Sequence, residues 1–432
     1  MSNKYNDITD LKAMTLDKEP IRIRLKSPVG YILAALLLLS CSSVYILQWN
    51  TLLTILIACV AFIYLVLIIA EKGAETYISK RDIVFIVIYI MMVLISSLVI
   101  PDIDISFYAR FMIIAPVFMT IASISSPDGN RSFIVILSNV IYFMAISSLV
   151  LMVLGPHLGL IRQTSLIFAH WGWDRYYMNY CYLLLSENAR AGGLGGLLAY
   201  RNLSIYPEGP FSSLVFTIGL ASELFVKDHV DYRRIFVYYL AILSTISATG
   251  MILSTIMIAL RYWMSALGVG GNESTSRKKM LRLAVSLLLV VLSSYLITLI
   301  VNEKQTNDVG NYSSHINAFA NGFQAFLKHP IVGYGYLFQE NMGNSTSGLF
   351  KVLIYGGLVL ALLYIVPFIF GYINAVKTHD YCWCTFVCTI FLLIVLVIWQ
   401  NSILCIAMMS IIAVGTIKES QHSDRGKSAM EV

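Results

Sequence analysis

Apolar runs long enough to cross a hydrocarbon layer recur along the whole chain, and nothing else constrains its fold as tightly. Stretches near 28–48, 52–70, 83–100, 107–125, 133–154, 211–226, 283–301, 349–372, 383–399 and 402–417 carry almost no charge. A helix of about 20 residues covers a hydrocarbon core of roughly 30 Å, and in lipid it satisfies its own backbone polar groups. Of the 432 residues, 58% are hydrophobic and 12% charged, with a mean hydropathy of +0.76. That is more apolar surface than a water-soluble domain can hide. The expected fold is an all-α polytopic membrane protein, a single integral membrane domain over 1–432.

The segment 236–270 is read as a hairpin, because basic flanks bound it on both sides, "KDHVDYRRI" before and "STSRKKMLR" after. A single crossing exports one of those clusters against the positive-inside tendency. The reversal is expected at Ser247–Gly250, where small and hydroxylated residues permit a break that faces the interior of the bundle. With the hairpin counted as two segments, the chain has about twelve, and both termini are cytoplasmic. Inner segments then hold 22 of the 30 Lys and Arg residues, which is the asymmetry that sets orientation. The stretch ahead of Pro28 carries Lys4, Lys12, Lys18, Arg22, Arg24 and Lys26 and reads as the flank of a retained anchor rather than a signal peptide. Topology accounts for the net charge of +6, so no nucleic-acid partner is implied.

Two outward loops are long, 155–210 and 302–345, and both are too aromatic for disorder. The first carries Arg162, Arg175, Arg190 and Arg201 with Asp174, Glu187 and Glu208. Its stretch Phe168–Leu185 is expected as a helix in the headgroup region, with Trp171, Trp173 and Tyr176 either as interfacial belt residues or as platforms for sugar faces. Exported arginines run against the positive-inside tendency. A guanidinium keeps its charge and grips phosphate oxygens as a fork, which suits a pyrophosphate at a membrane surface. The plainer reading is local pairing, such as Arg190 with Glu187 on one helix face.

Arg110 follows "PDIDISFYA" near the end of a span. It either snorkels or pairs with Asp102 or Asp104, or it faces a polar cavity. In the second loop a helix is expected over Ser313–Lys328, stopped by Pro330, with His315 near its start and with Gly333 and Gly335 permitting tight turns. No P-loop, dinucleotide fingerprint, HExxH or GxSxG occurs. No outward carboxylate cluster suits a divalent metal, and Cys382, Cys384 and Cys388 read as helix-packing residues rather than ligands. No metal or cofactor is expected.

"RNLSIYPEGPFSS" at 201–213, then "AFLKHPIVGYGY" and "NSTSGLFKVLIYGG", resemble in kind and order the motifs of the O-antigen polymerase and ligase superfamily. The resemblance covers about 201–358; before it, only the number and spacing of helices agree. It implies a GT-C-like membrane glycosyltransferase that uses an undecaprenyl-diphosphate-linked oligosaccharide at the periplasmic face of a Gram-negative inner membrane, with a chain-length regulator as a partner. A polymerase passes the growing glycan to the distal sugar of another lipid-linked repeat; a ligase passes it to lipid A-core. Ligases carry a histidine where this chain has Ser345, Thr346 and Ser347, which favours the polymerase. His315 stands where the family often has an arginine. On this reading Arg201 and Arg190, with Arg110 and Arg175, are the diphosphate-binding candidates. Glu208 is the candidate base and His315 the reserve, although Glu208 also suits the cap of the helix that follows. A lipid-linked oligosaccharide flippase or another transporter is the alternative class.

Overall fold

The computed structural model describes residues 21–45, 50–73, 78–101, 104–125, 127–171, 173–188, 200–227, 229–266, 312–335 and 347–414, with isolated helical positions between 280 and 298. The described chain is mostly helical (77%). Its first five helices are α1 (Ile21–Ser40), α2 (Asn50–Lys72), α3 (Lys80–Val99), α4 (Ile105–Ile124) and α5 (Pro127–Met152), the last extended by a π-turn at Val153–His157. Four strands follow, β1 (Ser165–Trp171), β2 (Trp173–Tyr180), β3 (Leu184–Asn188) and β4 (Tyr200–Ser204). Then come α6 (Gly209–Phe225), α7 (Tyr232–Ser244), α8 (Ala248–Ala266), α9 (Tyr312–Lys328), α10 (Gly348–Lys377), α11 (Tyr381–Leu396) and α12 (Ile403–Val414). Several starts carry a side-chain cap that satisfies a first-turn amide: Ser79 for α3, Asp104 for α4, Asp231 for α7 and Asp380 for α11.

Among the described residues, five helices are long and apolar enough to cross a membrane: Thr51–Lys72, Lys80–Val99, Ile105–Ile124, Arg131–His157 and Gly348–Lys377. Pro28–Ser40, Gly209–Phe225, Tyr381–Leu396 and Ile403–Val414 are apolar but shorter. The chain is an α-helical, membrane-embedded protein. Leu52, Ile55 and Phe62 on α2 and Ile83 and Val87 on α3 turn outward, as lipid-facing side chains do. The span expected at 283–301 lies largely outside the described residues.

Two short helices are buried along almost their whole length within a core to which most of the helices contribute. Every residue of α6 except Pro210 is buried, and so is every residue of α12, as expected of helices that are apolar all round. α6 packs on α5, α7, α8, α11 and β4, while α12 packs on α4, α10 and α1.

The all-α reading fails in the first long loop. Its strands form one antiparallel meander in the order β1-β2-β3-β4, and no helix covers Phe168–Leu185. The aromatic-rich run has the composition of strands, and its burial alternates where a helix has none: Tyr176 is exposed and Tyr177 is buried. The backbone reverses after β2 through Cys181 and Tyr182, both at positive φ (52° and 59°), with the Tyr182 amide donating to the Asn179 side chain at 3.0 Å.

One end of the bundle collects cations, each with an acceptor. Lys72 donates to the Ile124 carbonyl at 2.5 Å, and Arg81 to Asn374 at 2.8 Å. Arg131 pairs with Asp380. Glu223, fully buried on α6, takes Lys227 at 2.5 Å and Arg234 at 3.6 Å. Arg234 also reaches Asn139 at 2.7 Å and lies over the Tyr142 ring.

Two helical stretches are interrupted. α7 ends at Ser244, and Thr245–Ser247 form a turn in which Ile246 has φ 53°. The break comes earlier than Ser247–Gly250, and Ala248–Gly250 already belong to α8. The apolar run 349–372 is not a continuous span either, because Gly356 (φ −132°, ψ 15°) and Gly357 (φ 57°, ψ −151°) leave the helix inside α10. The segment after α9 fills that gap. Tyr334 and Gly335 amides donate to the Ile354 and Tyr355 carbonyls at 2.9 and 2.8 Å, and the Pro330 and Ile331 carbonyls accept from Leu358 and Val359 at 2.8 and 3.1 Å. Backbone groups freed by the break are thus paired within the protein, as an interrupted membrane helix requires. Gly333 and Gly335 both hold positive φ here.

Candidate functional site

The stretch 201–213 links the sheet to the core, and bonds hold it on several sides. The Asn202 amide donates to Ser148 on α5 at 3.1 Å and to Ser244 on α7 at 3.0 Å. Ile205 accepts from the Val44 amide at 3.0 Å, and the Tyr206 hydroxyl donates to the Leu38 carbonyl at 3.1 Å. Burial pushes the Tyr206 phenol well above its usual range, so it remains a neutral donor. Tyr177, from β2, donates to the Pro207 carbonyl at 3.0 Å. The Pro-Glu-Gly-Pro turn is therefore clamped from the sheet side and the helix side together.

Arg201 lies at the joint. Its Nε donates to the Thr245 carbonyl at 2.7 Å, in the turn between α7 and α8. Its Nη1 meets Glu187 Oε1 at 3.4 Å, and the two residues are directly opposite in the β3–β4 register. Nη2 makes no hydrogen bond among the described residues. The guanidinium lies so close to Gly209 that an added Cβ there comes within 2.6 Å of Nε and 2.7 Å of Nη2. Glu208, the residue before, is half-buried at the N-cap position of α6, with φ −144° and no side-chain bond to the helix. Its carbonyl instead accepts from Phe211 and Ser212. A fixed cation and a carboxylate-bearing residue thus flank one glycine beside a broken helix.

The other expected site residues are placed differently. Arg110, on α4, donates from Nη1 to the Asn401 carbonyl at 3.1 Å, in the non-helical link between α11 and α12. Asp104 is occupied capping its own helix, and Asp102 lies outside the described residues. Arg175 is on β2 opposite Ala169, with its side chain outside the described set. His315 stands in the first turn of α9, and its side chain is likewise outside that set. Arg190 lies outside the described residues. The helical pairing of Arg190 with Glu187 is overturned on the Glu187 side, because Glu187 belongs to a strand and faces Arg201 across the ladder.

Sequence reasoning missed three residues of this arrangement: Thr245, Gly209 and Tyr177. Thr245 contributes a backbone oxygen, which no side-chain pattern signals. The glycine did have a signal, since a Gly between Glu208 and Pro210 invites a close neighbour. No known protein family matches the chain, and no curated protein matches it.

Proposed function

We propose that this chain is a metal-independent membrane glycosyltransferase of the O-antigen polymerase kind, which moves a growing glycan from a polyprenyl diphosphate to the distal sugar of a second lipid-linked repeat. The observation that carries this reading is the Arg201 guanidinium, fixed by Thr245 and Glu187 and pressed against Gly209 beside Glu208. In the transfer, an acceptor hydroxyl oxygen attacks the anomeric carbon of the donor. The bond from that carbon to the diphosphate oxygen breaks, and the electron pair leaves with the diphosphate. Such a leaving group calls for preorganised positive charge more than for an acid. Nη2 of Arg201, which makes no hydrogen bond among the described residues, supplies it as a charged donor, and the Glu208 carboxylate receives the acceptor's proton.

The cation-rich end of the bundle, with Lys72, Arg81, Arg131, Lys227 and Arg234, supports placing that end in the cytoplasm and the 201–213 stretch at the periplasmic face of a Gram-negative inner membrane. The about twelve segments and the cytoplasmic termini belong to the same proposal, as does a chain-length regulator as partner. A lipid-linked oligosaccharide flippase is the second reading. It is favoured by the interruptions at Thr245–Ser247 and Gly356–Gly357, since discontinuous helices build transporter sites. Cells carrying Arg201→Ala separate the two. Loss of a polymerase leaves lipid A-core capped with one repeat, loss of a flippase leaves no repeat, and an unchanged polymer ladder removes both.

A further inference from the structure

We propose that the diphosphate sits on the first turn of α8, where the backbone amides of Ala248–Gly250 and the hydroxyl of Ser213 complete the site begun by Arg201. This rests on the reading of Arg201 as a diphosphate-binding residue and names the groups that share the task.

The first amides of a helix have no acceptor within it, and no side chain among the described residues accepts from those of Ala248, Thr249 or Gly250. They stand at the positive end of a 19-residue helix, where an anion is favoured. Ser213 supplies an independent pointer to a ligand. It projects from α6 so that its Oγ lies against Gly250, the third residue of that turn. Ser213 is 1% exposed and its hydroxyl has no hydrogen-bond partner among the described residues, a costly condition for a buried polar group. A phosphate oxygen on the turn relieves it.

Arg201 is tied to this helix start. Its Nε bond to Thr245 holds the guanidinium three residues before Ala248, and Ala248, Thr249, Glu208 and Arg201 are only half-buried. These four residues keep some solvent exposure, whereas Ser213 and Gly250 are buried. The charged Nη2 of Arg201 on one side of the Thr245–Ser247 turn, and on the other helix-start amides from which no described side chain accepts, suit a ligand with two adjacent anionic groups, such as a diphosphate ester, better than a single carboxylate.

The test uses the full chain in detergent micelles, titrated with farnesyl diphosphate and separately with inorganic pyrophosphate. Proline is tolerated at the first helical position because that amide is unpaired anyway, so Ala248→Pro removes one donor and keeps the helix. Ser213→Ala removes the hydroxyl, and a cooperative melt establishes that each variant is folded. Each is expected to weaken both ligands about tenfold, the usual effect of one hydrogen bond to a charged group. If both variants bind as the parent does while Arg201→Gln does not, the α8 seat is wrong and the Arg201 reading stands. If Arg201→Gln also binds normally, the functional reading falls with it. A loss confined to farnesyl diphosphate overturns the assignment to phosphate oxygens, because the prenyl chain is then what the variants disturb.

Discussion

Arg201 and Thr245 are 44 residues apart in sequence and joined by a 2.7 Å hydrogen bond from Nε to the backbone oxygen. That bond ties the strand ahead of α6 to the turn between α7 and α8. The guanidinium passes over Gly209 to make it, and any side chain there collides with both partners. Gly209→Ala is therefore expected to displace Arg201, abolish polymer growth and cost about 1–3 kcal/mol as an overpacking change. Thermal unfolding in detergent beside a glycan ladder checks both parts; a parent-like melt with normal ladders refutes the contact.

Glu187 offers a contrast. It faces Arg201 across the β3–β4 ladder at 3.4 Å, but both side chains remain about a quarter exposed. Exposed ion pairs contribute roughly 0–1 kcal/mol. Glu187→Gln is expected to lower stability by no more than that and to leave Arg201 anchored through Thr245. Chemical denaturation of the purified variant gives the comparison, and a loss of several kcal/mol would show that the carboxylate, rather than the Thr245 carbonyl, holds the guanidinium.

Gly357 is constrained in two ways. Its φ of 57° is one that side chains resist, and the Ile331 carbonyl occupies the place of a Cβ. Gly357→Ala is expected to cost about 2 kcal/mol or more through backbone strain and collision. The damage should centre on the 330–335 segment, so hydrogen exchange at Leu358 and Val359 should rise more than at α12. Uniform exchange across the bundle would contradict the interlock.

Glu223 is fully buried and meets Lys227 and Arg234. Removing one partner of a buried pair typically costs about 3–5 kcal/mol, because the remaining charge is stranded. Glu223→Ala is expected to destabilise strongly, and Glu223→Ala with Lys227→Met to recover part of the loss. Equal melting temperatures for single and double variants would show that the charges are not coupled.

How legible each of these features was depends on its range. The Tyr312–Lys328 helix and its stop before Pro330 follow from local pattern, and so does the special role of Gly333 and Gly335, because they depend on neighbours in sequence. The stretch Phe168–Leu185, which the sequence presents as an interfacial helix, is instead part of the strand meander. Its aromatics suit either structure, and only pairing across Phe168–Tyr176 and Glu187–Arg201 decides between them. The break inside 349–372 was invisible for a similar reason. Gly356–Gly357 reads as an ordinary pair of small residues until a segment from before the helix fills the gap.

The sequence by itself determined that this chain is a helical membrane protein, because runs of apolar residues with internally paired backbones have no other stable home. It also singled out 201–213 as a place where charge and turn residues collect beside an apolar segment. Only the tertiary structure decided that Arg201 bonds to Thr245 and packs on Gly209, that Glu187 is its cross-strand partner, and that Ser213 faces the start of α8. Burial propensity is a sum over single residues and can be read along the chain. A hydrogen bond to a backbone oxygen depends on the relative placement of two distant segments, and no single residue records it.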